Sequence, residues 1–206
     1  DAIRRRGRLD RCVLLDINET FLRTSAVELA RRYPEITVRG LIGDFLHDLD
    51  SVGPGTDRLF VFLAGTIGNL LPRQLTAFYG SLRAALGPGD TLLVGLDLVK
   101  DPDRLEAAYN DSAGVTAEFN LNVLRVLNRR FGTAFEVDAF EHVAFWDSEQ
   151  EWIEMRLRAM RPTTASVGGA RELRFGAGEE IRTENSRQIT RIQASRWIYE
   201  NIPGPI

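Results

Sequence analysis

The chain has 206 residues, of which 44% are hydrophobic and 27% are charged, and its formal net charge is -3. This balance is typical of a soluble globular protein and offers no basic footprint for nucleic acid or an anionic membrane. No segment is apolar for long enough to span a bilayer. The single cysteine excludes an intramolecular disulfide, which fits a cytoplasmic location. We expect a monomer that acts on a small molecule.

Strand and helix patterns alternate through the first hundred residues. The predicted strands cover residues 12–17, 36–42, 58–64 and 91–98, and the predicted helices cover residues 19–32 and 72–86. Short, continuously apolar strands that alternate with helices predict an α/β fold, in which helices cover both faces of a parallel sheet. Residues 1–100 are therefore predicted to form a first domain.

The pattern changes beyond residue 100. Residues 102–130 predict two helices that are broken at 112–114, where Ser, Ala and Gly follow one another. Residues 135–175 are rich in strand signals, with apolar and polar positions alternating in part of the segment. We predict a helical connection followed by a β-rich lobe inserted beside the sheet, so that residues 101–206 form the second domain.

Candidate functional residues follow the predicted strands. Asp16 follows the first strand, the Asp44-Phe45 pair follows the second, and residues 64–69 follow the third. Because ligands bind beyond the carboxyl ends of parallel strands, these residues could line one crevice. Asp16 suits a ribose, although Asp16 or Asn18 could instead cap the next helix. Asp44 and Phe45 suit an adenine, but a turn Asp and a core Phe explain them equally well.

Residues 64–69, AGTIGN, form the most distinctive of these segments. Two glycines permit a ligand to approach the backbone closely. The Asn69 amide both donates and accepts hydrogen bonds, so it could hold the carboxylate or the amine of an amino acid. The alternative is an ordinary strand-to-helix turn in which Asn69 is a turn or cap residue.

Several motifs in a fixed order carry a family resemblance. They are residues 62–69 (FLAGTIGN), 95–101 (GLDLVKD), 108–116 (AYNDSAGVT), 119–129 (FNLNVLRVLNR), 140–144 (FEHVA), 153–155 (IEM) and 178–184 (GEEIRTE). Together they resemble the histidine-specific Nα-methyltransferases of ergothioneine biosynthesis, over roughly residues 12–186. The resemblance implies an enzyme dependent on S-adenosylmethionine (SAM), with an incomplete Rossmann-like class I methyltransferase sheet. It also implies a β-rich substrate lobe and a trimethylated histidine, hercynine, as product.

The resemblance also implies roles for individual residues. The implied cofactor-binding residues are Asp16 for the ribose, with Asp44 and Phe45 for the adenine. The implied substrate-binding residues are Ala64, Asn69, Tyr109, Met155, Glu184 and Ser186. Asn69 and Tyr109 would hold the α-amino and carboxylate end. Glu184 and Ser186 would hydrogen-bond the imidazole, and Met155 would pack on that ring.

No residue is assigned as a catalytic base and no metal site is expected. The two histidines, His47 and His142, lack cysteine or carboxylate neighbours at metal-ligand spacing. We interpret His47 as a surface residue and His142 as a structural one. The sulfonium of SAM already activates its methyl group, so the protein mainly has to position a neutral amine.

Two departures from the family pattern leave other functions open. No glycine-rich turn precedes Asp16, and residues 187–206 do not resemble the family. We therefore expect a fragment whose own activity is weak or absent. The competing hypotheses are a methyltransferase for another amino acid or an indole amine, and a non-catalytic remnant.

Overall fold

A computed structural model describes residues 9–63, 65–167 and 171–195 of the chain. These residues divide into two compact units, one made of residues 9–61 and 71–93 and the other of residues 62–70 and 94–195. Both helices and strands occur in the described residues, which confirms a mixed α/β protein. No helix among them is long and apolar enough to cross a membrane.

The first unit begins with a strand, a helix and a second strand. β1 (Arg11–Asp16) and β2 (Thr37–Ile42) pair in parallel, and α1 (Glu19–Arg32) connects them. Parallel neighbours require such a crossover, because their ends lie at opposite edges of the sheet. Leu22 of α1 is buried and lies over Gly40 of β2, where an added Cβ would lie 3.4 Å from the Leu22 Cγ atom. The helix is therefore packed directly on the strand pair.

A buried ion pair stabilises the rest of the first unit. Arg58 and Asp90 directly precede β3 (Leu59–Phe62) and β4 (Thr91–Val94), which are neighbouring strands. Arg58 Nη2 lies 2.6 Å from Asp90 Oδ2 and also donates to the carbonyl oxygen of Ala85, at the end of α2 (Pro72–Ala85). The Asp90 side chain is fully buried, and its hydrogen bonds from Arg58 lower its pKa to about 2. One ion pair thus links two strands and a helix.

Helices and antiparallel strands make up the described part of the second unit. Its elements are α3 (Pro102–Tyr109), α4 (Val115–Phe131), β5 (Phe140–Asp147), β6 (Trp152–Ala159), β7 (Thr163–Val167), β8 (Arg171–Phe175) and β9 (Glu180–Arg187). β6 lies between β5 and β9, whereas β7 and β8 form a separate hairpin. Among the described residues of this unit, one buried cluster centres on Leu124 with Leu157 and another on Leu105 with Ile153. The three-stranded sheet therefore carries the core of this unit.

The break between α3 and α4 has a clear local cause. Gly114 adopts a left-handed conformation, with φ of 71°, immediately before α4. The carboxylate of Asp111 accepts hydrogen bonds from the backbone N–H groups of Val115 and Thr116. These bonds satisfy two of the N–H groups that the first turn of a helix leaves unpaired. Hydrogen bonding to Thr116, above all, lowers the pKa of Asp111 to about 2.

The observed elements follow the sequence expectations closely, with ends that differ by a few residues. The described strands form four separate sheets: β1–β2, β3–β4, β5–β6–β9 and β7–β8. The mixed α/β class is thus confirmed, whereas the Rossmann-like sheet, the inserted lobe and the domain boundary at residue 100 stay predictions.

Candidate functional site

In the first unit, two acidic residues follow neighbouring parallel strands. Asp16 is the last residue of β1, and Asp44 lies two residues beyond the end of β2. The register places Asp16 opposite Ile42, and the backbone N–H of Gly43 donates to the carbonyl oxygen of Asp16 at 3.1 Å. Both acids therefore lie at the carboxyl edge of the parallel pair, where nucleotide-binding folds hold a ribose.

Each of these acids also makes a local hydrogen bond. Asp16 Oδ1 accepts from the backbone N–H of Asn18 at 2.8 Å, and Asp44 Oδ1 accepts from that of Leu46 at 2.9 Å. Asn18 rather than Asp16 caps α1, since its side chain accepts from Phe21 N at 3.0 Å. Among the described residues, these side-chain hydrogen bonds use only Oδ1 of each acid. The arrangement therefore fits ligand hydroxyl or amine groups that donate to Oδ2.

Phe45 is half-buried and anchored against another aromatic residue. Its ring centroid lies 5.7 Å from that of Phe78, and the two ring planes are nearly perpendicular. Phe78 belongs to the buried core of the first unit. The two interpretations of Phe45 are thus compatible, because one ring can pack on the core and still contribute to an adenine site.

The two glycines of the loop at residues 64–69 are explained by the conformation and packing of the backbone. Gly65 has φ of 68°, a left-handed conformation that favours glycine. A Cβ added at Gly68 would lie 2.7 Å from the carbonyl oxygen of Arg187, so Gly68 permits close approach by the backbone of β9. The sequence suggested that a ligand uses this space, but the strand occupies it. Ala64, the first residue of the loop, lies outside the described residues.

Asn69 and Glu184 form a direct contact within the second unit. Asn69 ends a short 3-10 turn, Thr66–Asn69, and its Nδ2 donates to Glu184 Oε1 at 2.5 Å although the two residues lie 115 positions apart. Burial raises the pKa of Glu184, and the hydrogen bond from Asn69 opposes that rise. A half-buried carboxylate of this kind gains most from ligands that donate hydrogen bonds, because they replace lost water.

The register of β6 and β9 brings three more candidate residues together. Met155 pairs with Glu184, and Ile153 pairs with Ser186. Since strand residues two apart share a face, Glu184 and Ser186 lie on the face that carries Met155. A bulge next to Met155 leaves Thr183 unpaired, and bulges re-aim the side chains around them.

Tyr109 completes this group from the end of α3. Its hydroxyl donates to Ser186 Oγ at 2.8 Å, and its ring packs on the buried cluster that contains Met155. Met155 is only 3% exposed, so it is part of the core as well as a neighbour of the candidate site. Five of the predicted substrate residues, Asn69, Tyr109, Met155, Glu184 and Ser186, are therefore linked by hydrogen bonds, strand pairing and packing.

Both ring nitrogens of His142 are engaged within the protein. Nδ1 lies 2.9 Å from Asn120 Nδ2, and Nε2 lies 2.8 Å from the carbonyl oxygen of Tyr109. The Nδ2 group of Asn120 can only donate, so Nδ1 accepts from it and Nε2 donates its N–H to the carbonyl oxygen of Tyr109. These contacts support a structural role for His142. His47 is exposed, and no group of side chains in the described part of the chain could hold a metal ion.

Sequence reasoning missed Gln188, which is fully buried beside the candidate residues. Its Nε2 lies 3.4 Å from Ser186 Oγ and 3.5 Å from Asp97 Oδ2. Gln188 lies just beyond residues 12–186, over which the sequence motifs carried the family resemblance. The available signal was its position two residues after Ser186, which places both on one face if the strand alternation continues.

Comparisons with known proteins agree with the sequence motifs. A family model described as histidine-specific methyltransferase, SAM-dependent, matches residues 1–201. The chain is 46% identical over 187 residues to the Histidine N-alpha-methyltransferase of Mycobacterium tuberculosis and, equally, to that of Mycolicibacterium smegmatis. Each alignment covers 90% of this chain and 58% of the relative, so the chain spans under two thirds of their length. It is 34% identical over 110 residues to Ergothioneine biosynthesis protein 1 of Neurospora crassa, covering 50% of this chain and 12% of that protein.

Proposed function

Because this chain belongs to the family of histidine-specific, SAM-dependent methyltransferases, we propose that its protein methylates the α-nitrogen of L-histidine. Three transfers would yield the betaine hercynine, an intermediate of ergothioneine biosynthesis. The contact between Asn69 and Glu184 is the observation that carries the proposal, since it joins a predicted amino-acid-binding residue to a predicted imidazole-binding residue. The single cysteine suits a cytoplasmic enzyme, and we propose that it acts there as a monomer.

The cofactor would be held by residues of the first unit. Asp16 would accept hydrogen bonds from the ribose hydroxyls, as acids at this edge of a parallel strand pair do in nucleotide-binding folds. Asp44 would accept from the exocyclic amine of the adenine, and Phe45 would pack on the base. SAM supplies a methyl group that its sulfonium already activates for displacement.

The amino-acid substrate would be held by residues of the second unit. Asn69 and Tyr109 would bind the α-amino and carboxylate groups through the second N–H of the Asn69 amide and the accepting hydroxyl oxygen of Tyr109, while their bonds to Glu184 and Ser186 remain. Glu184 would accept from the imidazole N–H, and Ser186 would bond the other ring nitrogen. Met155 would support the ring from the buried core. Ala64 would contribute through its place in the loop beside Asn69.

Orientation accounts for most of the proposed catalysis. The α-ammonium of histidine has no lone pair, so it must lose a proton to water before the nitrogen can attack. Holding the neutral amine in line with the methyl group can supply about 7–11 kcal/mol of the barrier. Asn69 and Tyr109 would provide this orientation through the hydrogen-bonding groups of their side chains.

Calorimetry with the complete protein tests the proposal. S-adenosylhomocysteine should bind, and histidine should then bind in preference to tryptophan and tyrosine. Mass spectrometry after incubation with SAM should detect trimethylhistidine. Preference for tryptophan or tyrosine would instead identify a methyltransferase for another amino acid. A protein that neither binds S-adenosylhomocysteine nor forms product would be a non-catalytic member of the family.

A further inference from the structure

Gln188 occupies an unusual position for a polar side chain. It is 0% exposed, and its backbone N–H donates to the carbonyl oxygen of Glu151 at 3.0 Å. Its side-chain Nε2 approaches Ser186 Oγ and Asp97 Oδ2, as described above. Its Oε1 is buried without a donor among the described residues. A buried acceptor without a partner destabilises a fold, so an apolar side chain of similar length would be at least as stable there.

The neighbours of Gln188 determine which way its amide points. A carboxylate only accepts hydrogen bonds, so Asp97 requires the Nε2 group on its side of the amide. The opposite orientation would place Oε1 against the Asp97 carboxylate, with two acceptors facing each other. Lys100 forms an ion pair with the other oxygen of Asp97. The amide is therefore held with its donor towards Ser186.

This orientation limits what the Ser186 hydroxyl can do. A serine oxygen has one proton to donate and two lone pairs that accept. Tyr109 donates to one lone pair at 2.8 Å, and Gln188 donates to the other at 3.4 Å. With both lone pairs engaged, the hydroxyl can interact with a further group only by donating its proton.

We propose that Gln188 is a positioning residue that holds Ser186 as a hydrogen-bond donor to the unprotonated ring nitrogen of the substrate. This inference rests on the proposed function. Glu184 lies two residues before Ser186 on the same strand face and is an acceptor when ionised. The two side chains together recognise a neutral ring that carries one N–H and one bare nitrogen, as imidazole does. Indole has an N–H but no bare nitrogen, and it fails this requirement.

The test combines Gln188→Met with two kinds of ligand. Methionine has a similar volume but cannot donate to Ser186. The ligands are histidine and the two pyrrolylalanine isomers, which keep a ring N–H but replace the bare nitrogen with C–H. Calorimetry with S-adenosylhomocysteine present should show that Gln188→Met weakens histidine binding about five- to tenfold and leaves pyrrolylalanine binding unchanged. The Tm should stay the same or rise, because the unpaired Oε1 is removed.

Two controls make the result specific. Gln150→Met makes the same chemical change at an exposed position in the turn between β5 and β6 and should alter neither affinity. In a Ser186→Ala background, Gln188→Met should cause no further loss of histidine affinity, since the hydroxyl it positions is gone.

Each contrary outcome has a distinct meaning. Equal losses for histidine and pyrrolylalanine together with a lower Tm would show that Gln188 is only structural, and the inference would be wrong. Unchanged histidine affinity in Gln188→Met would also overturn it, while the proposed function would stand. If the unaltered protein does not bind histidine, the proposed function is wrong, and the inference about Gln188, which rests on it, is wrong as well.

Discussion

The two units of the chain differ in the relation between their stabilising contacts and their candidate site. In the first unit, the Arg58–Asp90 ion pair links strands and a helix, and neither residue is a predicted cofactor ligand. In the second unit, predicted substrate residues bond to one another across long sequence separations, as Asn69 does with Glu184. Substitutions should therefore separate stability from function in the first unit and couple them in the second.

The largest effect is expected from Asp90→Ala in the first unit. The substitution leaves the Arg58 guanidinium, which is 21% exposed, without its carboxylate. Breaking a buried pair in this way costs about 3–5 kcal/mol, which denaturant unfolding would measure. The exposed Asp50→Ala is the matched control and should change stability little. If Asp90→Ala proved equally mild, the ion pair would not be the main stabilising contact of this unit.

The same ion pair predicts how the first unit responds to acid. The pKa of Asp90 is lowered from 3.8 to about 2, so its ionised form stabilises the folded unit above pH 3.8. That contribution should be lost as the pH falls from about 4 to about 2. Acid unfolding followed by circular dichroism should show a step in this window, and the step should be smaller in Asp90→Asn, in which the contribution of Asp111 remains. A step of the same size in both proteins would contradict the assignment.

In the second unit, Asn69→Ala should impair substrate binding more than it impairs the rate of methyl transfer. Asn69 would bind the charged α-amino or carboxylate group of histidine, and hydrogen bonds to charged groups contribute about 1.5–3 kcal/mol, equivalent to about ten- to hundredfold. We expect the KM for histidine to rise by about this factor in the complete protein, with a smaller change in kcat. The control is Asn122→Ala, an exposed position on α4. An unchanged KM would remove Asn69 from the substrate site.

Gly68→Ala should affect both stability and binding. The added methyl would meet the Arg187 backbone at 2.7 Å, and overpacking of this kind costs about 1–3 kcal/mol. Because β9 also carries Glu184 and Ser186, its displacement should weaken histidine binding measured by calorimetry. Gly80→Ala on α2 is a control with the opposite expected effect. Nothing lies within 4 Å of its added methyl, and alanine in a helix is more stable than glycine by about 0.5–1 kcal/mol. Equal stabilities for the two variants would disprove the close approach.

Local signals explain how much of the fold the sequence could predict. The bounds of α1 matched expectation because Asn18 caps its start and Pro34 follows its end. The break before α4 was visible because Gly114 supplies the left-handed residue that the turn requires. Such features depend on a few consecutive residues, so periodicity and turn chemistry detect them.

The contacts that build the candidate site are not local, and the residues alone could not predict them. Tyr109 and Ser186 lie 77 positions apart, and only the folded register shows that they form a hydrogen bond. The family resemblance suggested both residues but not their contact. Gly68 was interpreted as space for a ligand because its partner, the Arg187 backbone, is distant in sequence. Pairing registers and bulges depend on the whole sheet, which is why these details required the structure.

The smallest expected change in stability is the sharpest test of the contrast between the units. Burial raises the pKa of Glu184, so its protonated form stabilises the fold and that contribution is lost as the pH rises through the folded pKa. The stabilising contribution of Glu184 is therefore lost as the pH rises, whereas that of Asp90 is lost as the pH falls. Glu184→Gln removes the charge but can still accept from Asn69, so the Tm at neutral pH should rise slightly while histidine binding weakens. Met155→Leu should not reproduce this combination, because it changes packing without removing a charge. A lower Tm with intact histidine binding would instead mean that Glu184 serves the fold, as Asp90 does.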